Sequence, residues 1–183
     1  MKKRIFKIAV CGSNASGLPK VYSSYAQKIG ETVAKEGHTL FTGVTTGFSY
    51  EAVQGAHKKG GVIIGISPAE SFAEHTERYE KVDQSLWTTI IYTGVGYKMR
   101  DVIMIRSVDA AIYIGGGVGT LVEMGSAPDQ EVVMGILSGS GGATELITEI
   151  ERISHRKKPI VIRNSDPKLL VLQVIKKLQE KRL

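Results

Sequence analysis

Apolar positions along this chain fall into short continuous runs separated by stretches of helical period. Ile5 to Cys11 is an apolar run, and Val21 to Lys35 places Tyr25, Ile29 and Val33 at i, i+4 and i+8, which predicts a helix. Gly37 ends that helix, Thr39 to Thr42 reads as a second strand, and a Gly/Thr-rich turn leads into a helix from about Ser49 to Lys59. Gly60-Gly61 closes it ahead of a third strand, Val62 to Ile66. Ser67 to Ser85 is polar and carries Pro68, so a loop with at most a short helix is expected there. Leu86 to Tyr92 ("LWTTIIY") is rich in β-formers, and Tyr97 to Arg106 reads as a helix whose apolar stripe is Met99, Val102 and Ile103. Asp109 to Ile114 is the next strand, followed by a helix starting near Leu121, a strand from Val132 to Leu137 and a helix from Ala143 to Ile153. Pro159 to Ile162 forms the last strand, and Asp166-Pro167, an N-cap followed by proline at the first helical position, opens the terminal helix.

Seven strands alternating with helices predict an α/β protein. The expected architecture is a doubly wound sheet of about seven mostly parallel strands with helices on both faces, in a single domain over residues 1–183. In such sheets ligands bind at the carboxyl ends of the strands, where the strand order reverses. The glycines follow that rule. Gly12 and Gly17 come after the first strand, Gly43 and Gly47 after the second, Gly115 to Gly119 after the fifth, and Gly139, Gly141 and Gly142 after the sixth. Any one such turn has a conformational explanation, but four on the same edge predict a binding cleft.

Composition narrows the chemistry. At 42% hydrophobic and 23% charged residues the chain has an ordinary globular balance, and no apolar run is long enough to cross a bilayer. The opening "MKKRIFKIAVCG" has charges before apolar residues, yet it carries Lys7 and runs into a Gly-Ser turn, so it reads as a strand and a cytoplasmic location is expected. Cys11 is the only cysteine, which excludes an internal disulfide, and His38, His57, His75 and His155 are scattered without metal-ligand spacing. They are expected on the surface or in loops, and no metal site is expected. The net charge of +6 sits in clusters such as Lys2 to Arg4, Arg156 to Lys158 and Lys176-Lys177, with no interleaved aromatic residues to stack bases, so it does not point to nucleic acid.

The densest motif is "IYIGGGVGTLVEMG", Ile112 to Gly125. Thr120 and Glu123 have the spacing of a helix capping box, which gives them a purely structural reading. The chemical reading is a phosphate cradle: the strand–glycine turn–helix order leaves free amides and the positive end of a helix dipole at Gly119 and Thr120, with a carboxylate beside them. Familiar fingerprints do not fit. "GSNASGLP" has Leu18-Pro19 where a P-loop has Lys and Ser/Thr, and "GGGVGT" lacks the third glycine of a dinucleotide motif. No dinucleotide or other resident cofactor is indicated. The "SGSGG" of Ser138 to Gly142 can be either a plain loop or a nucleotide contact.

Four stretches, "IAVCGSNASGLP", "TLFTGVTTGFSYEAVQGAHKKGGVIIGISP", "YKMRDVIMIRSVDAAIYIGGGVGTLVE" and "GILSGSGGATELI", make the chain resemble the Lonely Guy family and its bacterial and archaeal relatives. These are Rossmann-like proteins long labelled "possible lysine decarboxylase". The resemblance implies a phosphoribohydrolase that cuts nucleoside 5′-monophosphates into free base and ribose 5-phosphate. The related branch of molybdenum-cofactor carrier proteins implies instead a carrier or sensor of a nucleotide-like ligand. By position, the phosphate-binding turn falls on Gly116, Gly117, Val118, Gly119 and Thr120, the catalytic glutamate on Glu123 and the catalytic arginine on Arg100. Ser13, Gly43 and Gly47 match positions lining the same cleft. The implied mechanism has Glu123 stabilise an oxocarbenium-like ribose and orient water while Arg100 holds the substrate. A homo-oligomer, a dimer or a larger even assembly, is also implied.

The chain departs from the family's active enzymes at three places. They usually carry proline where Gly115 stands, an Arg-Lys pair where this chain has Arg100-Asp101, and three consecutive glycines where it reads "TGVTTG". A reversed charge beside the arginine weakens the attraction for an anionic substrate, which tilts the expectation towards the less characterised relatives. Lysine decarboxylation would need a lysine holding pyridoxal phosphate, and nothing in the sequence marks one.

Overall fold

The computed structural model describes residues 4–12, 19–155 and 157–181. Its centre is one parallel sheet of seven strands: β1 (Lys7–Gly12), β2 (Thr39–Thr42), β3 (Ile63–Ser67), β4 (Thr89–Tyr92), β5 (Ala110–Ile114), β6 (Val133–Leu137) and β7 (Ile160–Asn164). The spatial order is β4-β3-β2-β1-β5-β6-β7. The chain therefore winds outward from β1 to one edge, then returns to the other side of β1 and winds outward again. The reversal lies between β1 and β5, which run in register from Ile8 opposite Ala110 to Gly12 opposite Ile114.

Side-chain alternation along β1 sorts the core into two layers. Ile8 and Val10 join a layer with Ile29, Val33, Ala52, Val53, Leu170 and Val174, contributed by α1 (Lys20–Lys35), α2 (Phe48–His57) and α7 (Pro167–Glu180). Ala9 and Cys11 point the other way, into a layer with Tyr113, Met104, Ile105 and Met124. That second layer is covered by α4 (Gly96–Arg106), α5 (Val118–Ser126) and α6 (Ile147–Ile153). β5 and β6 are buried at every position, as strands covered on both faces must be, which is why they read as unbroken apolar runs.

The loop expected between Ser67 and Ser85 carries a short helix, α3 (Phe72–Glu74), that widens into a π-helical turn over His75–Tyr79. The β-rich "LWTTIIY" is strand only from Thr89 onward. Before it, Asp83 caps a 3-10 turn at Gln84–Leu86, and Trp87 turns inward so that its Nε1 donates to Thr42 Oγ1 at 2.9 Å. The terminal helix starts as expected, with the Asp166 carboxylate accepting from the Leu169 amide at 2.8 Å. Of the four histidines expected on the surface or in loops, His38 and His75 lie in segments that connect strands and are buried there. His38 Nδ1 accepts from the Phe6 amide, and His75 Nδ1 lies 2.9 Å from Ser67 Oγ. Both satisfy polar groups inside the fold. No helix among the described residues is long and apolar enough to cross a membrane, and no cluster there could hold a metal ion.

Candidate functional site

The carboxyl ends of β1, β2 and β5 open onto a cleft of about 450 Å³. Gly12, Gly43, Thr45 and Ser49 line one side, Tyr97, Lys98, Arg100 and Asp101 of α4 a second, and Gly117, Val118, Gly119, Thr120 and Glu123 a third. Of the residues expected from the sequence, Arg100, Glu123, Gly43, Gly117, Val118, Gly119 and Thr120 thus meet at the strand-order reversal. Gly47 caps α2 at φ 84° and Gly116 lies under the α5 turn, so both shape loops without lining the cleft. Ser13 and Gly17 lie outside the described residues.

The glycine turn after β5 is built in two parts. Gly115 and Gly116 take φ of 57° and 99°, which only glycine adopts without cost, and a Cβ on Gly116 would lie 2.4 Å from Thr120. Gly117 is different: its φ is −118° and a Cβ there would meet nothing within 4 Å. Neither backbone strain nor packing calls for glycine at 117, so what its small size leaves is bare backbone facing the cleft. The "SGSGG" loop supports this turn from behind. Ser140 Oγ accepts from the Gly115 amide at 2.8 Å and donates to the Leu137 carbonyl, while the Ala143 amide donates to Gly116 O at 2.9 Å. Of the two readings open in the sequence, the structure shows the loop as scaffold to the turn.

The capping box does not form. α5 starts at Val118, three residues before the expected start, with Gly117 as N-cap and no side-chain cap. The sequence reading placed the helix start by its capping signal, but the glycine turn enters the helix directly: the first intrahelical bond runs from the Leu121 amide to Gly117 O at 3.0 Å. The amides of Val118, Gly119 and Thr120 precede that bond, which puts the positive end of the helix at the cleft. Thr120 and Glu123 sit inside the helix and are buried. Glu123 is therefore a buried carboxyl without a capping role.

Its surroundings hold a proton on it. Burial, and then the nearby Asp101 carboxylate, raise the Glu123 pKa to about 8, against the opposing pull of Arg100. The Cys11 thiol, at the end of β1, stands near this carboxyl, and burial followed by the Glu123 charge pushes the thiol itself well up. At neutral pH the cleft thus presents Glu123 as a neutral acid. The sequence reading had a charged carboxylate there, because burial at this position was not visible in the motif.

Arg100 is 4% exposed. Its Nη1 lies 3.1 Å from Asp101 Oδ1, its guanidinium sits 5.8 Å from the Tyr97 ring, and its Nε has no hydrogen-bond partner among the described residues. A Cβ on Gly43 would come within 2.0 Å of Nη1, so Gly43 is the space in which the guanidinium lies. The inward orientation was expected, but not for the reason given. The buried side of α4 carries Arg100, Asp101, Met104 and Ile105, whereas Met99 of the expected stripe is 58% exposed and Val102 and Ile103 are half-buried. Sequence reasoning did not select Tyr97, Lys98, Thr45 or Ser49. They adjoin its glycine turns and its arginine, and that proximity was the one signal available.

The second turn carries a further irregularity. Val44 sits at φ 51°, an outlier for a β-branched residue, and is fully buried. Gly65 on β3 makes room for it, since a Cβ there would lie 2.5 Å from Val44 Cγ2. The turn that reads "TGVTTG" instead of three glycines is accordingly held by packing.

This architecture and motif have counterparts. A model of the SLOG cluster4 family matches residues 5–171. The chain belongs to that family. An uncharacterised protein of Archaeoglobus fulgidus is 29% identical over 137 residues, 75% of this chain and 72% of the relative. The molybdenum cofactor carrier protein of Chlamydomonas reinhardtii superposes with a TM-score of 0.76 over 97% of this chain and 99% of its own at 23% identity, a likeness of fold. The molybdenum cofactor binding protein of the phototrophic bacterium Rippkaea orientalis superposes with a TM-score of 0.75 over 96% of this chain and 98% of its own at 26% identity. The SLOG protein thus shares its architecture over nearly its whole length with these two proteins.

Proposed function

We propose that this SLOG protein binds a nucleotide-like small molecule whose phosphate lies on the N-terminus of α5. The observation that carries this reading is the combination of bare backbone at Gly117 and Gly119 with a buried Arg100 that lines the same cleft and whose Nε has no hydrogen-bond partner among the described residues. Helix amides and a guanidinium are the two donor types that recognise phosphate best. Tyr97 and Thr45 stand at the other wall, where the flat part of such a ligand would lie. The Rippkaea orientalis protein, which binds the molybdenum cofactor, supports a carrier or sensor of a pterin-like ligand. Pairing of Arg100 with Asp101 supports the same reading, because it takes up part of the charge that the active hydrolases leave for substrate.

Hydrolysis of the N-glycosidic bond is the second reading, favoured by the position of Glu123. A carboxyl held neutral up to about pH 8 can pass from acid to carboxylate as positive charge builds on a ribose beside it. Met99, exposed on the outer side of α4, supports the homo-oligomer implied by the family resemblance.

The test is to incubate purified protein with AMP and a panel of nucleoside monophosphates, following free base by chromatography and binding by calorimetry. Binding without release supports the carrier or sensor. Base released by the wild type and lost in Glu123→Gln, with binding retained, establishes the hydrolase. Absence of binding for every phosphate-bearing compound, the pterin cofactor included, overturns the proposal.

A further inference from the structure

Asp101 is the feature of the cleft that a phosphate site does not explain. Its side chain is 8% exposed, and it stands where the resemblance to the Lonely Guy enzymes implies a lysine. One oxygen, Oδ1, is committed to Arg100 Nη1 at 3.1 Å. The other, Oδ2, reaches towards the first turn of α5: it is the nearest atom to a Cβ built on Gly119, at 3.9 Å, and nothing else lies within 4 Å of that position. The carboxylate therefore pairs with the guanidinium and stands beside the first turn of α5, next to both of the donors on which a phosphate would depend. It gives both of them a share of the negative charge that a ligand would otherwise bring.

The charges around the cleft then nearly cancel. Arg100 is offset by Asp101, Glu123 is held neutral by its burial, and Lys98 on the rim is exposed. A phosphomonoester carries close to two negative charges at neutral pH, with its second pKa near 6. A phosphate esterified twice, or linked through a pyrophosphate, carries one per phosphorus.

We propose that Asp101 is a specificity-determining residue that makes the cleft discriminate by ligand charge, disfavouring terminal phosphomonoester dianions and accepting phosphodiester-type ligands with one charge on the bound phosphate. This inference rests on the phosphate-site reading above and deepens it. It adds the class of ligand: a nucleotide-like molecule whose phosphate carries a second substituent. A plain structural role for Asp101, as counter-ion to Arg100, would affect mono- and diesters alike.

The test uses AMP and its 5′-phosphate methyl ester as probes, with calorimetric affinities measured on wild type, Asp101→Asn and Asp101→Ser at pH 7.5. The wild type is expected to bind the methyl ester at least as tightly as AMP, a comparison that needs no variant. Removing the carboxylate is expected to strengthen AMP binding by about tenfold more than methyl-ester binding, because the extra charge interacts with Asp101 across a short, poorly screened distance. Each ligand serves as its own reference, so the bulk of the methyl group cancels. A wild-type preference of about tenfold for AMP, or equal gains for both ligands in the variants, overturns the charge filter and leaves the phosphate site standing. If neither probe binds to any of the three proteins, the charge filter falls, whereas the phosphate site falls only if the pterin cofactor and the other phosphate-bearing compounds fail as well.

Discussion

Replacing Glu123 by glutamine should make this protein more stable, and increasingly so as pH rises. The buried carboxyl has its pKa raised from 4.5 to about 8, so between those values the folded protein holds a proton that the unfolded chain releases. For a group raised in this way the native state is favoured most at low pH and loses stability as pH rises through the window. Each pH unit of mismatch is worth about 1.4 kcal/mol, so keeping Glu123 neutral at pH 7 costs about 3 kcal/mol relative to pH 4.5. Glutamine has no such proton to hold. The variant should match the wild type within about 1 kcal/mol near pH 5 and exceed it by about 3 kcal/mol at pH 7, which is roughly 6 to 12 °C in melting temperature for a domain of this size. The slope should flatten above about pH 8, where Glu123 ionises in both states. His75, whose pKa is lowered by burial, contributes stability that is lost as pH falls below its unfolded value, but it does so in both proteins and cancels in the difference. Urea or thermal unfolding of the two proteins from pH 5 to 8.5 provides the measurement. A difference that stays constant across that range would show that Glu123 is not a buried proton holder, and the electrostatic account of the cleft would fail with it.

Two further substitutions probe how the turns hold the site. Gly43→Ala would place a methyl group 2.0 Å from Arg100 Nη1, so the buried guanidinium would have to leave the slot it occupies. Phosphate-ligand affinity should then fall by about tenfold or more, the loss of roughly one charge-assisted hydrogen bond, while thermal stability changes little. Retained affinity would show that the guanidinium takes no part in binding. Ser140→Ala removes the acceptor of the buried Gly115 amide and should cost about 1 to 3 kcal/mol in denaturant unfolding. Loss of less than about 0.5 kcal/mol would mean that the loop after β6 does not support the glycine turn.

The sheet was legible from the sequence because parallel strands buried on both faces leave an unmistakable trace. "AAIYI" and "VMGIL" carry no charged side chain and only one hydroxyl, that of Tyr113, and the glycines that follow sit where the chain must turn sharply out of the sheet. Glycine placement also led to the cleft. Local signals misled where a tertiary contact outweighed them. Thr120 and Glu123 have capping-box spacing, but the turn at Gly115-Gly116 delivers the chain into α5 before Thr120, and the helix start moves with it. On α4 the stripe of Met99, Val102 and Ile103 has the period of a core face, yet the helix turns Arg100 and Asp101 inward above Met104 and Ile105. An ion pair beside a cleft reverses what hydrophobicity alone would choose, and no window of sequence contains the partner that makes this possible, which is the empty space at Gly43.

That inversion bears on how a site evolves a new ligand without a new fold. The scaffold elements of the phosphate cradle are all present: the uncapped α5, the bare Gly117, the Gly43 slot and the supporting Ser140. A proton-holding carboxyl also remains at Glu123. What differs from the hydrolytic relatives is the sign of the charge one residue after the arginine. Lysine there would add to the pull of Arg100 on a dianion, whereas Asp101 cancels it and simultaneously helps to keep Glu123 protonated. A single position thus acts on two quantities that hydrolysis needs, the attraction for a phosphomonoester and the ionised state of the carboxylate. Both change in the direction that favours holding a ligand over cutting it. Backbone donors, by contrast, are indifferent to the reversal, so phosphate recognition can persist while turnover is lost. On the proposed reading, the cleft is a binding site in which one charge separates retention from reaction.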